Sequence, residues 1–240
     1  MADPVIVIGA TGAIGSALAR RLRAAGRSLH LVGRDQARLA ALAGELGATS
    51  AVADAMDPAS LAAAVRAAGD RVSGLAYCVG SIVMKPLERA SEADFVDTFR
   101  LNAVGVALAV AAARDALRAA GGSVVLFSTV AVRAGFANHA VIAMAKGAVE
   151  ALTVSLAAEL APQVRVNAIA PSLTRSGIAT PLTGNAALAK AIAAQHPIPR
   201  LGEADDAAAL AAFLLSDDAG WITGQVLAVD GGRSTVRTKG

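Results

Sequence analysis

The sequence predicts an α/β protein in which a doubly wound parallel sheet of about seven strands carries helices on both faces. Three observations point there. Apolar runs at Val5–Ile8, Leu29–Val32, Ser50–Ala53, Leu75–Val79, Val124–Phe127, Val164–Ile169 and Val226–Val229 alternate with longer Ala/Leu segments of helical character, the rhythm of repeated strand-helix-strand units. Several runs are apolar at consecutive positions, as strands are when helices cover a parallel sheet on both sides. Gly9, Gly12 and Gly15 fall directly after the first run and directly before the helix-like stretch Ala13 to Ala25, which reads as strand, tight turn and helix N-terminus.

Taken in order, the strand ends carry the chemistry. Around Gly9, Thr11, Gly12, Ala13, Ile14 and Gly15 the backbone N–H groups can approach phosphate oxygens with no Cβ in the way, and the open helix end adds partial positive charge. A dinucleotide is therefore expected there. The second strand ends at Gly33-Arg34 with no acidic residue directly at its tip. A guanidinium pairs with a 2′-phosphate, whereas a carboxylate would take a free 2′-hydroxyl, so NADP(H) is favoured and NAD(H) stays possible. A solvated Arg34 beside Asp35 is the alternative. Asp54, after the third strand, suits the adenine amino group or else starts a turn with Asp57 and Pro58. The segments Tyr77 to Gly80, Ser128-Thr129 and Pro171-Ser172 end the next three strands. In a sheet of this kind all these ends converge on one crevice.

Composition favours one domain over residues 1–240, since 55% of residues are hydrophobic, 17% are charged, and no Ser/Pro/Gly-rich linker divides the chain. A charge of +3 from 22 basic and 19 acidic side chains is a small excess. The cations are scattered and only one Trp, one Tyr and five Phe could stack on bases, so no nucleic-acid partner is expected. Cys78 is the single cysteine, which excludes an intrachain disulfide and fits a reducing compartment. His30, His139 and His196 form no ligand motif, so no metal site is expected. The longest uninterrupted apolar stretch, Ala103 to Ala113, is too short to cross a bilayer, and the first strand begins too early to leave room for a signal peptide. A cytoplasmic protein without a membrane partner is the expectation.

Over nearly its whole length the chain resembles the short-chain dehydrogenase/reductase family. Its most specific segments are Asn167-Ala168-Ile169-Ala170-Pro171, Arg200-Leu201-Gly202-Glu203, Ile222-Thr223-Gly224-Gln225 and Val229-Asp230-Gly231-Gly232. The resemblance implies a Rossmann-type domain, a nicotinamide cofactor, a small-molecule substrate and a homo-oligomer, dimer or tetramer. It places Val79, Gly80, Pro171, Ser172 and Thr174 beside the cofactor and a substrate lid around residues 174–195. It also gives Asn102 the role of holding a relay water, Thr129 that of orienting the carbonyl, and Lys146 that of binding the nicotinamide ribose. Ser128, one residue before Thr129, is expected to turn away.

One departure stands out. Where the family has Tyr-x-x-x-Lys, this chain has Ile142-Ala143-Met144-Ala145-Lys146, and a spacing of four puts residues 142 and 146 on one helix face. The phenol that would donate a proton is replaced by hydrocarbon. Other departures are Tyr77-Cys78-Val79-Gly80 for Asn-Asn-Ala-Gly, the early middle glycine, and Ser172 for the usual glycine. Three functions stay open: an NADP-dependent oxidoreductase whose proton path runs through Lys146 and water or through His139, a nucleotide-binding pseudoenzyme, and a non-redox lyase or isomerase.

Overall fold

A computed structural model describes residues 3–237. Seven strands, β1 (Val5–Ile8), β2 (Leu29–Gly33), β3 (Thr49–Val52), β4 (Gly74–Tyr77), β5 (Ser123–Phe127), β6 (Arg165–Pro171) and β7 (Val226–Val229), form one sheet in the order β3-β2-β1-β4-β5-β6-β7. Every pairing is parallel. The expected doubly wound sheet is therefore present. Its order reverses between β1 and β4, so their carboxyl ends flank the crevice where such sheets take ligands.

Strand alternation sorts the core into two layers. Ile6, Ile8, Leu75, Tyr77, Val124 and Leu126 face α3 (Pro58–Arg66), α5 (Gly105–Ala120) and α7 (Ala140–Leu160), whereas Val5, Val7, Leu31, Ala76 and Val125 face the other three long helices. Those three are α1 (Ala13–Ala24), α2 (Gln36–Leu46) and α10 (Ala204–Leu214). The remaining helices are α4 (Glu92–Phe99), the short α6 (Ala131–Ala134) and α8 (Thr180–Thr183), and α9 (Ala186–Ala193). Asp35, Asp57, Ser91 and Asn185 accept backbone N–H bonds at the starts of α2, α3, α4 and α9, which fixes where each helix begins.

The segment Arg100–Val104 joins α4 to α5 as a π-helical turn. Its extra residue turns Asn102 inward to full burial, and π turns of this sort recur at functional sites. Within the turn the Leu101 carbonyl accepts the Tyr77 hydroxyl at 2.9 Å. The phenol lies so close to α5 that a Cβ on Gly105 would stand 2.2 Å from its oxygen. That helix position can only be glycine while Tyr77 stays in place.

The expectation about membrane length needs correction. The continuous helix Glu92–Ala120 and α7 are both long and apolar enough to cross a membrane by length and composition, because the π turn extends the helix beyond the uninterrupted run Ala103 to Ala113. Both pack on the sheet, contributing Val106, Val110, Leu117, Val149 and Leu160 to its core.

Candidate active site

At the carboxyl edge the glycine turn has the geometry of a phosphate cradle. Gly9 has φ +79°, and a Cβ there would meet backbone atoms of Cys78 and Val79 at 2.9 Å. A Cβ on Gly15 would meet the Gly9 carbonyl oxygen at 2.3 Å, so helix α1 sits closer to the loop than any larger residue allows. Gly12 caps α1 without a side-chain bond, leaving the first-turn N–H groups of Ala13, Ile14 and Gly15 without an intrahelical acceptor. Gly12 itself is exposed. Free amides, an open helix end and side-chain-free backbone fit the pyrophosphate of a dinucleotide.

Farther along this edge, Arg34 is exposed. Asp35 is engaged as the cap of α2, accepting Arg38 N–H at 3.0 Å. Arg38, which sequence reasoning missed, donates from its guanidinium to the Thr11 carbonyl and so places a second cation beside the glycine turn. A basic residue four positions after Arg34 in a helix's first turn was the available signal. Asp54 accepts Met56 N–H at 2.9 Å, the turn-forming alternative.

The other half of the crevice is a cavity of about 680 Å³. Of the predicted residues it gathers Ile14, Val79, Gly80, Thr129, Ile142, Lys146, Pro171, Ser172 and Thr174 in its wall, together with His139. Gly9, Thr11, Gly12, Ala13, Gly15, Arg34 and Asp54 lie outside it. Of the strand ends expected to converge on one crevice, the cavity thus gathers those of β4, β5 and β6, while the glycine turn, Arg34 and Asp54 lie along the same sheet edge outside it.

Lys146 is 7% exposed and donates to the Phe127 carbonyl at 2.8 Å. Burial pulls its pKa down to about 8, against the nearby Cys78, which favours the charged ammonium. Cys78 is pushed up to about 12 by its desolvated surroundings. Asn102 Nδ2 donates to the Thr98 carbonyl at 2.9 Å and to Ser81 Oγ at 3.1 Å. A Cβ on Gly80 would come within 3.1 Å of Asn102 Oδ1 and 3.4 Å of Lys146 Nζ. The amide and the ammonium therefore meet at Gly80.

Thr129 Oγ1 accepts Ala131 N–H at 3.3 Å, and its own proton meets no acceptor among the described residues, so it can be offered to a ligand. Ser128, expected to turn away, also lines the cavity, but its hydroxyl is engaged, donating to Glu150 at 2.8 Å. Ile142 is 5% exposed, one helical turn before Lys146. No phenol lines the cavity, and the chain's single tyrosine is the one held beneath Gly105. His139 Nδ1 is tied to the Ala137 carbonyl at 2.7 Å, with its ring edge-on to Phe136.

Sequence reasoning also missed a polar cluster beneath the segment that joins β6 to β7. Ser172 Oγ lies 2.8 Å from His196 Nε2, and Arg233 approaches the same hydroxyl at 3.4 Å. These residues are 24 and 61 positions apart. Only the path of the segments on either side of β7 brings them together, so no local pattern marked them.

A seven-stranded parallel sheet with this glycine turn at its switch point defines a Rossmann-type fold of the kind that binds nicotinamide dinucleotides. The chain belongs to the short-chain dehydrogenase/reductase superfamily: a family model described as enoyl-(acyl carrier protein) reductase matches residues 9–234. An uncharacterized oxidoreductase of Methylorubrum extorquens is 32% identical over 238 residues, with 95% of this chain and 96% of the relative covered. A short-chain dehydrogenase/reductase from Mycobacterium ulcerans superposes with a TM-score of 0.91 at 33% identity, covering 99% of this chain and 92% of that one. A gluconate 5-dehydrogenase from Burkholderia cenocepacia, solved with NADP and tartrate, gives 0.91 at 27% identity, covering 98% and 96%.

Proposed function

We propose that this chain is an NADP-dependent oxidoreductase that interconverts a carbonyl and an alcohol, with Lys146 in place of a phenol as the proton source. The nicotinamide, when bound, supplies or accepts the hydride. Gly9, Gly12, Ala13, Ile14 and Gly15 would hold its pyrophosphate, Arg34 and Arg38 the 2′-phosphate, and Val79, Gly80, Pro171, Ser172, Thr174 and Lys146 the nicotinamide half. NAD(H) would lose the pairing at the two arginines. Asp54 would stay at the adenine edge.

The chain's own residues divide the remaining work. Thr129 donates its free hydroxyl proton in a hydrogen bond to the substrate oxygen and orients the carbonyl. As negative charge grows on that oxygen, the Lys146 ammonium passes a proton to it through a bridging water, with Asn102 and Ser81 bracing the far side of Gly80. The observation that carries this reading is the desolvated Lys146. An ordinary lysine near 10.5 gives up its proton reluctantly at neutral pH, whereas one near 8 sits where general acids work best. A small-molecule substrate and an assembly of two or four identical chains complete the proposal.

The test is NADPH titration by nicotinamide fluorescence followed by a panel of ketones and aldehydes. Turnover on any member, falling away as pH rises through about 8, supports the reading. Tight NADPH binding with no turnover on any substrate points to a nucleotide-binding protein without redox activity. Conversion with no net change in nicotinamide absorbance points to a lyase or isomerase. Ile142→Tyr adds a phenol one turn from Lys146 and should raise carbonyl reduction by about 10²-fold. An unchanged rate with cofactor still bound argues against this assignment of position 142.

A further inference from the structure

The cavity wall is unbalanced in charge. Its described residues include no aspartate or glutamate, while two cations, Lys146 and Arg233, line it. Lys146 serves the Gly80 side. Arg233, on the segment after β7, lies among lid residues such as Ile178, Leu188 and Ile192.

Every group that holds the Arg233 guanidinium is neutral. Its central carbon stands 4.4 Å from the Phe136 ring centroid, a cation–π distance. Nη2 donates to Gln195 Oε1 at 2.6 Å and Nη1 approaches Ser172 Oγ at 3.4 Å. Ser172 can accept because its own proton goes to His196 Nε2, at 2.8 Å, while His196 Nδ1 faces the Ile192 carbonyl at 2.9 Å. A carbonyl only accepts, so Nδ1 carries a proton, and in the neutral ring Nε2 takes the serine hydrogen. Asp230 is the nearby carboxylate, and its charge favours the guanidinium's charged form against the burial that opposes it, but it does not pair with it: its oxygens accept Gly232 N–H at 2.9 Å, Ser234 N–H at 2.7 Å and the Ser234 hydroxyl. No described carboxylate lies within ion-pair distance of Arg233.

A half-buried guanidinium held by an aromatic face, an amide oxygen and a hydroxyl keeps its full charge and has N–H groups to spare. Such a cation beside apolar walls is costly unless an anion joins it. We propose that Arg233 is an anion subsite, so that the pocket takes substrates with an apolar body and a carboxylate that this guanidinium grips. One planar guanidinium matches one planar carboxylate through two parallel hydrogen bonds. A phosphate dianion would call for a second cation or a free helix N-terminus, and the first turn of α9 is already satisfied by Asn185, which accepts N–H bonds from Ala187 and Leu188. This assignment of substrate class rests on the oxidoreductase reading, but ligand capture by Arg233 does not require turnover.

The experiment is calorimetric titration of the intact protein, with and without NADP, using hexanoate, hexanamide and hexyl phosphate as probes. Hexanoate is expected to bind at least about 10-fold tighter than hexanamide, and Arg233→Gln should erase that preference while circular dichroism shows the variant folded. If Arg233→Gln does not fold, Arg233→Lys keeps the charge without the planar fork and should retain only part of the preference. Equal affinity for hexanoate and hexanamide, binding of neither, or a preference that survives Arg233→Gln overturns the proposal. Tightest binding of hexyl phosphate overturns the carboxylate assignment. Carboxylate capture without reduction of any ketone, aldehyde or keto acid would refute the oxidoreductase reading and leave the subsite standing. Reduction of neutral ketones with no carboxylate preference would do the reverse.

Discussion

The two halves of the crevice are built from different material. The half at β1 and α1 is made of backbone: amides, a helix end and glycines whose missing side chains are the essential feature. The half at β5, α7 and the segment between β6 and β7 is made of side chains whose behaviour depends on burial, as Lys146 shows. A backbone site tolerates no added carbon but needs no particular neighbour, whereas a side-chain site accepts substitution at the cost of changed chemistry. That explains how position 142 can hold a hydrocarbon while the glycine turn keeps its shape.

Four outcomes would break or sharpen this contrast. Gly15→Val should be the most damaging, since even a Cβ would stand 2.3 Å from the Gly9 oxygen. NADPH affinity should fall by more than about 100-fold, and overpacking should cost about 1–3 kcal/mol in stability, read by fluorescence titration and denaturant unfolding. A variant that still bound NADPH normally would show that the turn is not the cradle. Lys146→Met should lower the rate of carbonyl reduction by about 10²–10⁴-fold and yet leave the protein at least as stable, because a desolvated charge has been removed.

Linkage gives a third outcome. Lys146 is depressed from 10.5 to about 8, so below pH 8 the folded state holds a charge it disfavours. Above pH 8 it releases that proton while the unfolded chain retains its own, and stability rises with pH. Cys78 acts in the opposite sense, because its folded value is about 12 against 9.0 and the unfolded thiol ionises first above pH 9. The gain is therefore confined mainly to the interval between pH 8 and 9, where unfolding free energy should increase by about 1 kcal/mol, and Lys146→Met should flatten it. Arg38→Ala should have the smallest effect, cutting the preference for NADPH over NADH by about 3-fold in paired titrations, as suits one exposed charge pair, with NADH binding little altered.

Legibility followed the same division. Strand positions and the turn at Gly9, Gly12 and Gly15 could be read because apolar alternation and absent side chains are local properties of the chain. Lys146 and Thr129 could be placed through the family resemblance, but the ammonium's depressed pKa arises from surroundings supplied by β4, β5 and α7 together. Ser172, His196 and Arg233 could not be read as a group at all. Their meeting depends on how the segment between β6 and β7 folds back over the pocket. Asn102 was named as a candidate through the same resemblance, whereas the π turn that aims it inward could not be read, since hydrophobic periodicity does not register one inserted residue.

Cys78 lines the same cavity as the chain's sole thiol. Desolvation raises its pKa to about 12, so its thiolate is much scarcer than that of an ordinary cysteine, and alkylation by iodoacetamide should slow. The labelling rate then reports how strongly the pocket suppresses the thiolate, recorded by mass spectrometry at one known atom without engineering a probe into the chain.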